Sequence, residues 1–419
     1  MISISNKIKN LALLLVCAMA VLSSCNKDVE QFIEPPVPGV SSNKALGDTL
    51  GTSARADDSL YYRLIVKAGL LSTLNNKATT YTLFVPTNAA MRSFINAISG
   101  GAVPIGAPDA VFSGFITANI PAATAASIVM YNAVPQAVNF TTIPGTFPNF
   151  QYPSILNPAP QLSALLRLTT FPSNRNANYV NNVPVISAGV NAANGTIYEV
   201  AALVVPPSAY LWNRIEADLE LSYFEAAILR ADADPSAPGV LQAALLNIGA
   251  NLTVFAPVDA AVQPVLFGAL YQGILPLVIQ QLVAGGMTPA DAAINAPPVA
   301  SAQATGLAST PAGFNSLPIQ TVKGIVVYHI LAQRAFSNNF PTTPTSFPTL
   351  LNGAIPTHAG VSLVSTFTGP VVTGATVKGA VNATASNITI NPFPNGTSDQ
   401  HYLNGVIHKI DQVLIPIPF

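Results

Sequence analysis

Hydrophobic and polar positions follow the same order twice along the chain. Residues 59–71 carry apolar side chains at helical spacing, with a serine at the start and Gly69 near the end, and they predict an amphipathic helix. Residues 221–231 repeat that pattern. A pattern that recurs in one chain indicates two copies of one structural unit.

Each predicted helix is followed by a strand of the same type. The segments 82–91 and 253–262 both read as an apolar strand that ends at a proline, since proline cannot continue a ladder of hydrogen bonds. Asn88 and Asp259 come directly afterwards, and we expect each to cap the helix that begins at the alanines following it.

Both copies also end alike. An Asn-Gly pair, Asn194-Gly195 in the first and Asn404-Gly405 in the second, precedes alternating residues of a closing strand. Such a pair supplies the positive φ angles of a tight hairpin turn, so each copy is expected to close with a hairpin.

These repeated motifs resemble those of a known family. The order Thr-x-Phe-x-Pro-x-(Asn/Asp)-x-Ala, a later Tyr-His and a terminal Asn-Gly-x-Ile resembles the fasciclin-like domain in order and spacing, from Ser59 to Phe419. The resemblance implies an α+β fold of two tandem fasciclin-like domains, each a β-sandwich wedge with several helices packed along one side. It also implies a role in adhesion or binding.

The second copy is longer in its middle. Phe255 to Tyr328 spans 73 positions where Phe84 to Tyr131 spans 47, so about 26 residues are extra. We place the insertion at about 271–318 and predict a helix over 275–282 followed by a loop rich in Pro, Ala and Gly over 296–316. A long loop is often functional, but we favour an insertion that has no function of its own.

The N-terminus has the pattern of an export signal. Lys7 and Lys9 precede an apolar run from Leu11 to Leu22, which is short for a membrane-spanning helix. The tetrapeptide that ends at Cys25 resembles a lipobox, in which the cysteine thiol accepts a diacylglyceryl group. The alternative is an ordinary signal peptide with a chance cysteine.

These patterns divide the chain into four parts. They are a lipoprotein signal peptide (1–24), the lipidated Cys25 with a flexible tether (25–57), and fasciclin-like domains at 58–208 and 209–419. The Lys-Asp-x-Glu cluster after Cys25 resembles the export signal of Bacteroidetes lipoproteins. We therefore expect a lipid anchor in the outer membrane, at the cell surface or at the periplasmic face.

Composition excludes some partners. Only 8% of residues are charged, and without Lys7 and Lys9 the chain has 15 Lys and Arg against 18 Asp and Glu, a net charge of −3. Nucleic acid binding needs a concentrated basic face, so no nucleic acid partner is expected. The expected partners are the membrane, through the lipid anchor, and a protein or polysaccharide ligand.

No catalytic motif is present. The sequence lacks Gly-x-Ser-x-Gly, His-Glu-x-x-His, a Gly-rich phosphate loop and a dinucleotide fingerprint, so we expect no enzyme activity, no catalytic residue and no cofactor. His401 and His408, with Asp399 nearby, offer a weak alternative as a metal site. We prefer packed histidines and no metal.

Tyr328-His329 is the pair that the family resemblance associates with adhesion. Aliphatic neighbours instead suggest a half-buried strand in which the imidazole bonds to backbone, and we favour that structural role. The first copy has Asn132 at the histidine position, so one mechanism shared by both copies is not expected. The main hypothesis is a lipid-anchored binding protein, and the alternative is an accessory surface component of a glycan-uptake or polysaccharide-assembly system.

Overall fold

A computed structural model describes residues 43–143, 145 and 150–417. These described residues belong to one compact unit. The predicted signal peptide and Cys25 lie outside the described residues.

Two repeats share one order of elements, in which three helices, one strand and three more helices are followed by a run of strands. The first repeat contains α1–α6 and β1–β9, and the second contains α7–α12 and β10–β17. The helices are α1 (Leu46–Leu50), α2 (Ser59–Ala68), α3 (Leu71–Leu74), α4 (Asn88–Ile98), α5 (Asp109–Asn119), α6 (Ala122–Tyr131), α7 (Leu211–Ala217), α8 (Ser222–Asp232), α9 (Val240–Leu245), α10 (Asp259–Ala284), α11 (Pro289–Ala308) and α12 (Ile319–Tyr328). The strands are β1 (Tyr81–Pro86), β2 (Ala133–Val134), β3 (Tyr152–Pro153), β4 (Thr169–Thr170), β5 (Pro172–Ser173), β6 (Tyr179–Val180), β7 (Val183–Pro184), β8 (Val190–Ala192), β9 (Gly195–Val200), β10 (Leu252–Pro257), β11 (Ile330–Leu331), β12 (Thr345–Phe347), β13 (Val361–Thr368), β14 (Val371–Lys378), β15 (Ser386–Ile388), β16 (Gln400–Tyr402) and β17 (Gly405–Ile410).

Each repeat is built on a four-stranded sheet of the same topology. The order is β2-β1-β9-β8 in the first repeat and β11-β10-β17-β16 in the second. The first and last long strands, β1 with β9 and β10 with β17, pair in parallel, and the short edge strands pair antiparallel. The predicted apolar strands and closing strands are therefore neighbours in one sheet.

The two faces of each central strand are buried in different cores. Leu83 and Val85 pack among the helices of the first repeat, whereas Phe84 packs on the opposite side with Tyr131. Phe255 does the same in the second repeat, where it meets the sheet β12-β13-β14-β15. Because successive strand residues point to opposite faces, a strand covered on both faces is apolar throughout.

The tether prediction was wrong for its last third. Residues 46–50 form α1, and Leu46 and Leu50 are fully buried in the core of the first repeat. A 3₁₀ helix over Ser53–Asp58 then leads into α2. The folded body therefore begins before residue 57.

The predicted loop in the insertion was also wrong. Residues 289–308 form α11, which packs along the 26-residue α10 as a helical hairpin (Asp259–Ala308). Small side chains every fourth residue of α11 face α10 and are buried: Ala292, Ala296, Ala300, Ala304 and Ala308. By length and composition alone, α10 could cross a membrane. Only 22% of its most apolar window is buried inside the protein.

The two repeats meet through polar and aromatic contacts. Phe171 of the first repeat packs with Phe336 and Val406 of the second. The Asn338 amide donates to the Asn181 carbonyl at 3.1 Å, and the Tyr179 hydroxyl donates to the Pro370 carbonyl at 2.5 Å. These bonds satisfy buried polar groups from both sides and fix one orientation.

Leu46→Ala tests the place of α1 in the folded body. Removing a fully buried leucine side chain costs about 2–5 kcal/mol, so the melting temperature of the protein should fall by several degrees. Leu165→Ala is the matched control, because Leu165 is 86% exposed. Equal melting of both variants would restore the tether interpretation for this segment.

Candidate functional site

The threonine of the repeated strand motif has the same bonds in both repeats. Thr82 Oγ1 donates to the Gln136 carbonyl and accepts from Val138 N, each at 2.9 Å. Thr253 Oγ1 donates to the Gln333 carbonyl at 2.7 Å and accepts from Ala335 N at 2.8 Å. The hydroxyl therefore fixes the segment that follows the short edge strand, and it is a structural group.

Asn88 and Asp259 do not cap the helices that follow them. Asn88 Oδ1 accepts from Leu60 N at 3.0 Å, and Asp259 Oδ1 accepts from Tyr223 N at 2.9 Å. Each side chain thus caps the preceding long helix of its repeat, which needs acceptors for its first N–H groups. Thr87 supplies the cap of α4 instead.

The predicted closing hairpins are confirmed, since β8 pairs with β9 and β16 pairs with β17 across two-residue turns that end at Asn194 and Asn404. Gly195 lies beside β1, where a Cβ would come within 1.9 Å of the Tyr81 carbonyl oxygen. Gly405 lies beside β10, where a Cβ would come within 2.4 Å of the Leu252 carbonyl oxygen. The close approach of the parallel strand, rather than a turn with two positive φ angles, demands glycine at both places.

The asparagine of each pair caps another helix. Asn194 Oδ1 accepts from Leu46 N at 2.9 Å at the start of α1, and Asn404 Oδ1 accepts from Leu211 N at 3.0 Å at the start of α7. This shared bond makes α1 the counterpart of α7. Each repeat therefore has one more helix before its amphipathic helix than the sequence patterns indicate.

Tyr328 and His329 lie at the end of a helix, and the predicted strand was wrong. Tyr328 is the last residue of α12, His329 is its C-cap, and both are buried. The Tyr328 hydroxyl donates to the Gly360 carbonyl at 2.5 Å and accepts from Ala380 N at 2.8 Å. Burial raises the pKa of this tyrosine.

The His329 imidazole joins two segments of backbone. Its Nδ1 lies 2.8 Å from the Ile325 carbonyl, and its Nε2 accepts from Leu414 N at 2.9 Å. Nδ1 therefore carries the proton in the folded protein, and burial lowers the pKa of the ring to about 4. Asn132 has the corresponding position, where its amide donates to the Ile128 and Val204 carbonyls.

His401 and His408 have separate partners. His401 Nε2 accepts from Arg334 Nη1 at 2.7 Å, whereas His408 Nε2 lies 2.9 Å from the Ala335 carbonyl. Burial lowers the pKa of both rings. Within the part of the chain that the structure describes, no three His, Cys, Asp or Glu side chains are grouped so as to hold a metal ion.

The helical hairpin carries almost no charged side chains. From residue 260 to residue 322 the only charged side chain is Asp291, which accepts from the Thr288 hydroxyl at the start of α11. Leu277 is 63% exposed and Ile294 is 74% exposed. Exposed aliphatic side chains on an uncharged surface are typical of an interaction site.

A family model agrees with the repeated architecture. A family model for the Fasciclin domain matches residues 57–206 and 288–416. The chain is similar to a solved FAS1 domain pair from the insect cell adhesion molecule Fasciclin I, at 14% identity and a TM-score of 0.30, over 87% of this chain and 98% of that one. No curated protein matches the chain.

The prediction of an α+β fold with two tandem fasciclin-like domains is confirmed by the family match. The two matched segments leave out residues 207–287, which contain α7, α8, α9, β10 and all of α10. The exact domain boundaries stay a prediction.

His329→Asn tests the structural role of the imidazole. The substitution removes the acceptor for Leu414 N, at a cost of about 1–3 kcal/mol, so the melting temperature at pH 7 should fall by several degrees. Binding by the folded protein should be preserved. Unchanged melting with lost binding would instead make the Tyr-His pair a contact site.

The same substitution changes the response to acid. The unfolded histidine has a pKa of about 6.5, so between pH 6.5 and 4 the unfolded chain gains a proton that folded His329 does not, and about 3 kcal/mol of stability is lost. His329→Asn should lose less stability over that range in melting curves. Equal losses in both proteins would contradict the lowered pKa.

Proposed function

The chain belongs to the fasciclin-domain family, and we propose from that premise that it is a lipid-anchored, non-catalytic binding protein of a Bacteroidetes-type cell envelope. The two fasciclin domains act in adhesion, as the binding part. Cys25 carries the lipid and holds the domains at the outer membrane.

The repeated motif residues support a binding role rather than catalysis. Thr253, Asp259, His329 and Asn404 are all bonded to backbone groups within the second repeat. Bonds of this kind position strands and helices. A group used in that way is not free to bind substrate or to exchange a proton with it.

The exposed helical hairpin is the observation that carries the proposal. It presents aliphatic side chains from both helices, and the Asp291 carboxylate is engaged in starting α11. An uncharged apolar face gains free energy by burial against another apolar face, whereas a polysaccharide offers mainly hydroxyl groups. The partner that fits is therefore a protein with an uncharged apolar surface.

Cys25→Ser tests the anchor. If the thiol carries the lipid, the variant should incorporate no labelled fatty acid and should leave the membrane fraction. The measurement is labelling followed by fractionation of cells. Labelled fatty acid in the variant would show that the lipobox interpretation is wrong.

A double variant tests the hairpin surface. Leu277→Glu with Ile294→Glu places two charges on the apolar face, and binding to responding matrix proteins on an array of proteins and glycans should fall at least tenfold. Both side chains are largely exposed, so the melting temperature should hold. Leu165→Glu is the matched control on the first repeat.

The array also separates the competing functions. Signals on protein spots that only the double variant loses support the proposal. Signals confined to glycans and unaffected by the double variant would contradict the hairpin surface and favour an accessory role in glycan handling. Binding of the wild type to plain lipid vesicles, lost in the double variant, would identify a membrane as the occupant instead.

A further inference from the structure

An aromatic side chain is exposed in the loop between β15 and β16. Phe393 lies between Pro392 and Pro394 and is 75% exposed. A single exposed apolar side chain is common on protein surfaces and needs no explanation by itself. This one differs because its loop has a fixed shape and because a second exposed apolar side chain lies nearby.

Hydrogen bonds fix the shape of the loop. The Phe393 carbonyl accepts from Gly396 N at 2.8 Å and from Gln400 Nε2 at 2.9 Å. The Asn391 carbonyl accepts from Thr397 N at 3.0 Å. A Cβ on Gly396 would come within 2.1 Å of the Asn391 carbonyl oxygen, so the turn requires glycine. A partner that binds the phenyl ring therefore has little chain to order, which favours affinity.

The second exposed side chain belongs to a neighbouring turn. Leu219, between α7 and α8, is 92% exposed. Arg214 joins the two segments, because its Nη2 lies 2.7 Å from the Asp218 carboxylate and its Nη1 donates to Asn395 Oδ1 at 3.0 Å. Phe393 and Leu219 are therefore carried by two segments that one guanidinium group holds together.

The repeated architecture requires neither side chain. Ser59 and Ser222 make equivalent bonds at the start of α2 and α8. Three residues before them, the first repeat has the small Ala56 and the second has Leu219. In the first repeat only residues 185–189 separate β7 from β8, and none of them is aromatic. Both exposed side chains are additions of the second repeat.

The surface beside these side chains is negatively charged. The cations Arg214 and Lys409 are both paired with Asp218, and only 10% and 7% of their side chains are exposed. Glu216 is exposed, and so is Glu220, which also pairs with Lys409. Two cations against three carboxylates leave a net negative charge, and the carboxylates are the groups that reach solvent.

We propose that Phe393 and Leu219 form a docking surface for a protein whose apolar pockets are bordered by lysine or arginine side chains. Rigid aromatic and aliphatic anchors fill pockets of a partner, and cations beside those pockets would face Glu216 and Glu220. A bilayer rich in anionic lipids would be repelled by the same carboxylates. The proposed partner of the helical hairpin is uncharged, so the two proposals can fail independently.

Selection from short random peptides displayed on phage tests the docking surface. The full chain in neutral detergent is the target, and peptides that also bind Phe393→Ala are discarded. The retained peptides should carry apolar side chains together with lysine or arginine. A synthetic copy of the most enriched peptide is then titrated calorimetrically, and rising salt should weaken its binding.

Three further variants test the surface independently of the selection. Leu219→Ala should weaken binding of that peptide at least tenfold without lowering the melting temperature, since the side chain is exposed. Gly396→Ala should weaken it although the phenyl ring is still present, because the loop cannot keep its shape. Glu216→Lys should weaken it by reversing a charge.

Two variants serve as matched controls. Leu165→Ala removes an equally exposed leucine from the first repeat and should bind the peptide as the wild type does. Leu277→Glu with Ile294→Glu should also leave this binding unchanged, which separates the docking surface from the hairpin surface.

Several outcomes would overturn the proposal. Retained peptides that are acidic or uncharged would contradict the basic partner, and so would a selection in which no peptide distinguishes the wild type from Phe393→Ala. Equal losses in Leu219→Ala and Leu165→Ala would remove the role of the surface. Glycans or lipid vesicles that bind the wild type but not Phe393→Ala, or dimers of the chain that this variant abolishes, would identify a different occupant.

Discussion

The parallel pairing of the first and last long strands is the contact on which each repeat depends. β1 lies against β9 in one repeat and β10 against β17 in the other, with most other elements of that repeat between them in sequence. Such a pair forms only after a long loop has closed, so the end of each repeat must be present before its core is complete. The glycine that permits the close approach is therefore as important as the apolar residues of the strands.

The asparagine before that glycine extends the same constraint to the helices. Asn194 and Asn404 each bond to the first N–H of the helix that opens the repeat, and their amides donate to the carbonyls of Leu74 and Leu245 near the ends of α3 and α9. One side chain thus satisfies donors and acceptors from two helix ends. Strand pairing and helix placement are consequently coupled at a single residue of each repeat.

Part of this fold could be predicted from residue patterns, and the failures have physical causes. The strands could be predicted because both of their faces are buried, which requires a continuous apolar run, and that run ends at a proline. The sequence patterns do not indicate α1, because the side chain that caps its N-terminus is Asn194, far away in sequence. The end of α12 was read as a strand because Tyr328 and His329 follow β-branched residues, and short apolar runs do not distinguish helix from strand.

The helix α11 carried a readable signal that its prolines obscured. Thr288-Pro289-Ala290-Asp291 is a helix start, with the threonine accepting from Asp291 N, and the alanines that follow recur every fourth residue. Pro297 and Pro298 suggested a loop, since proline removes a backbone donor. Close packing of the alanine stripe on α10 offsets that loss.

Arg334 left no comparable signal in the sequence. Its burial arises only where the second repeat meets the first, and contacts between distant segments have no local pattern. Burial that depends on the arrangement of two repeats becomes visible only in three dimensions.

Duplication within one chain separates the requirements of the fold from additions to it. Bonds present in both repeats, such as those of Thr82 and Thr253, are needed to build a fasciclin domain, whatever the domain binds. Features found once have no such explanation. The uncharged helical hairpin belongs to the second repeat alone. An exposed apolar surface costs solubility when it is unoccupied, so the requirements of the fold do not account for it.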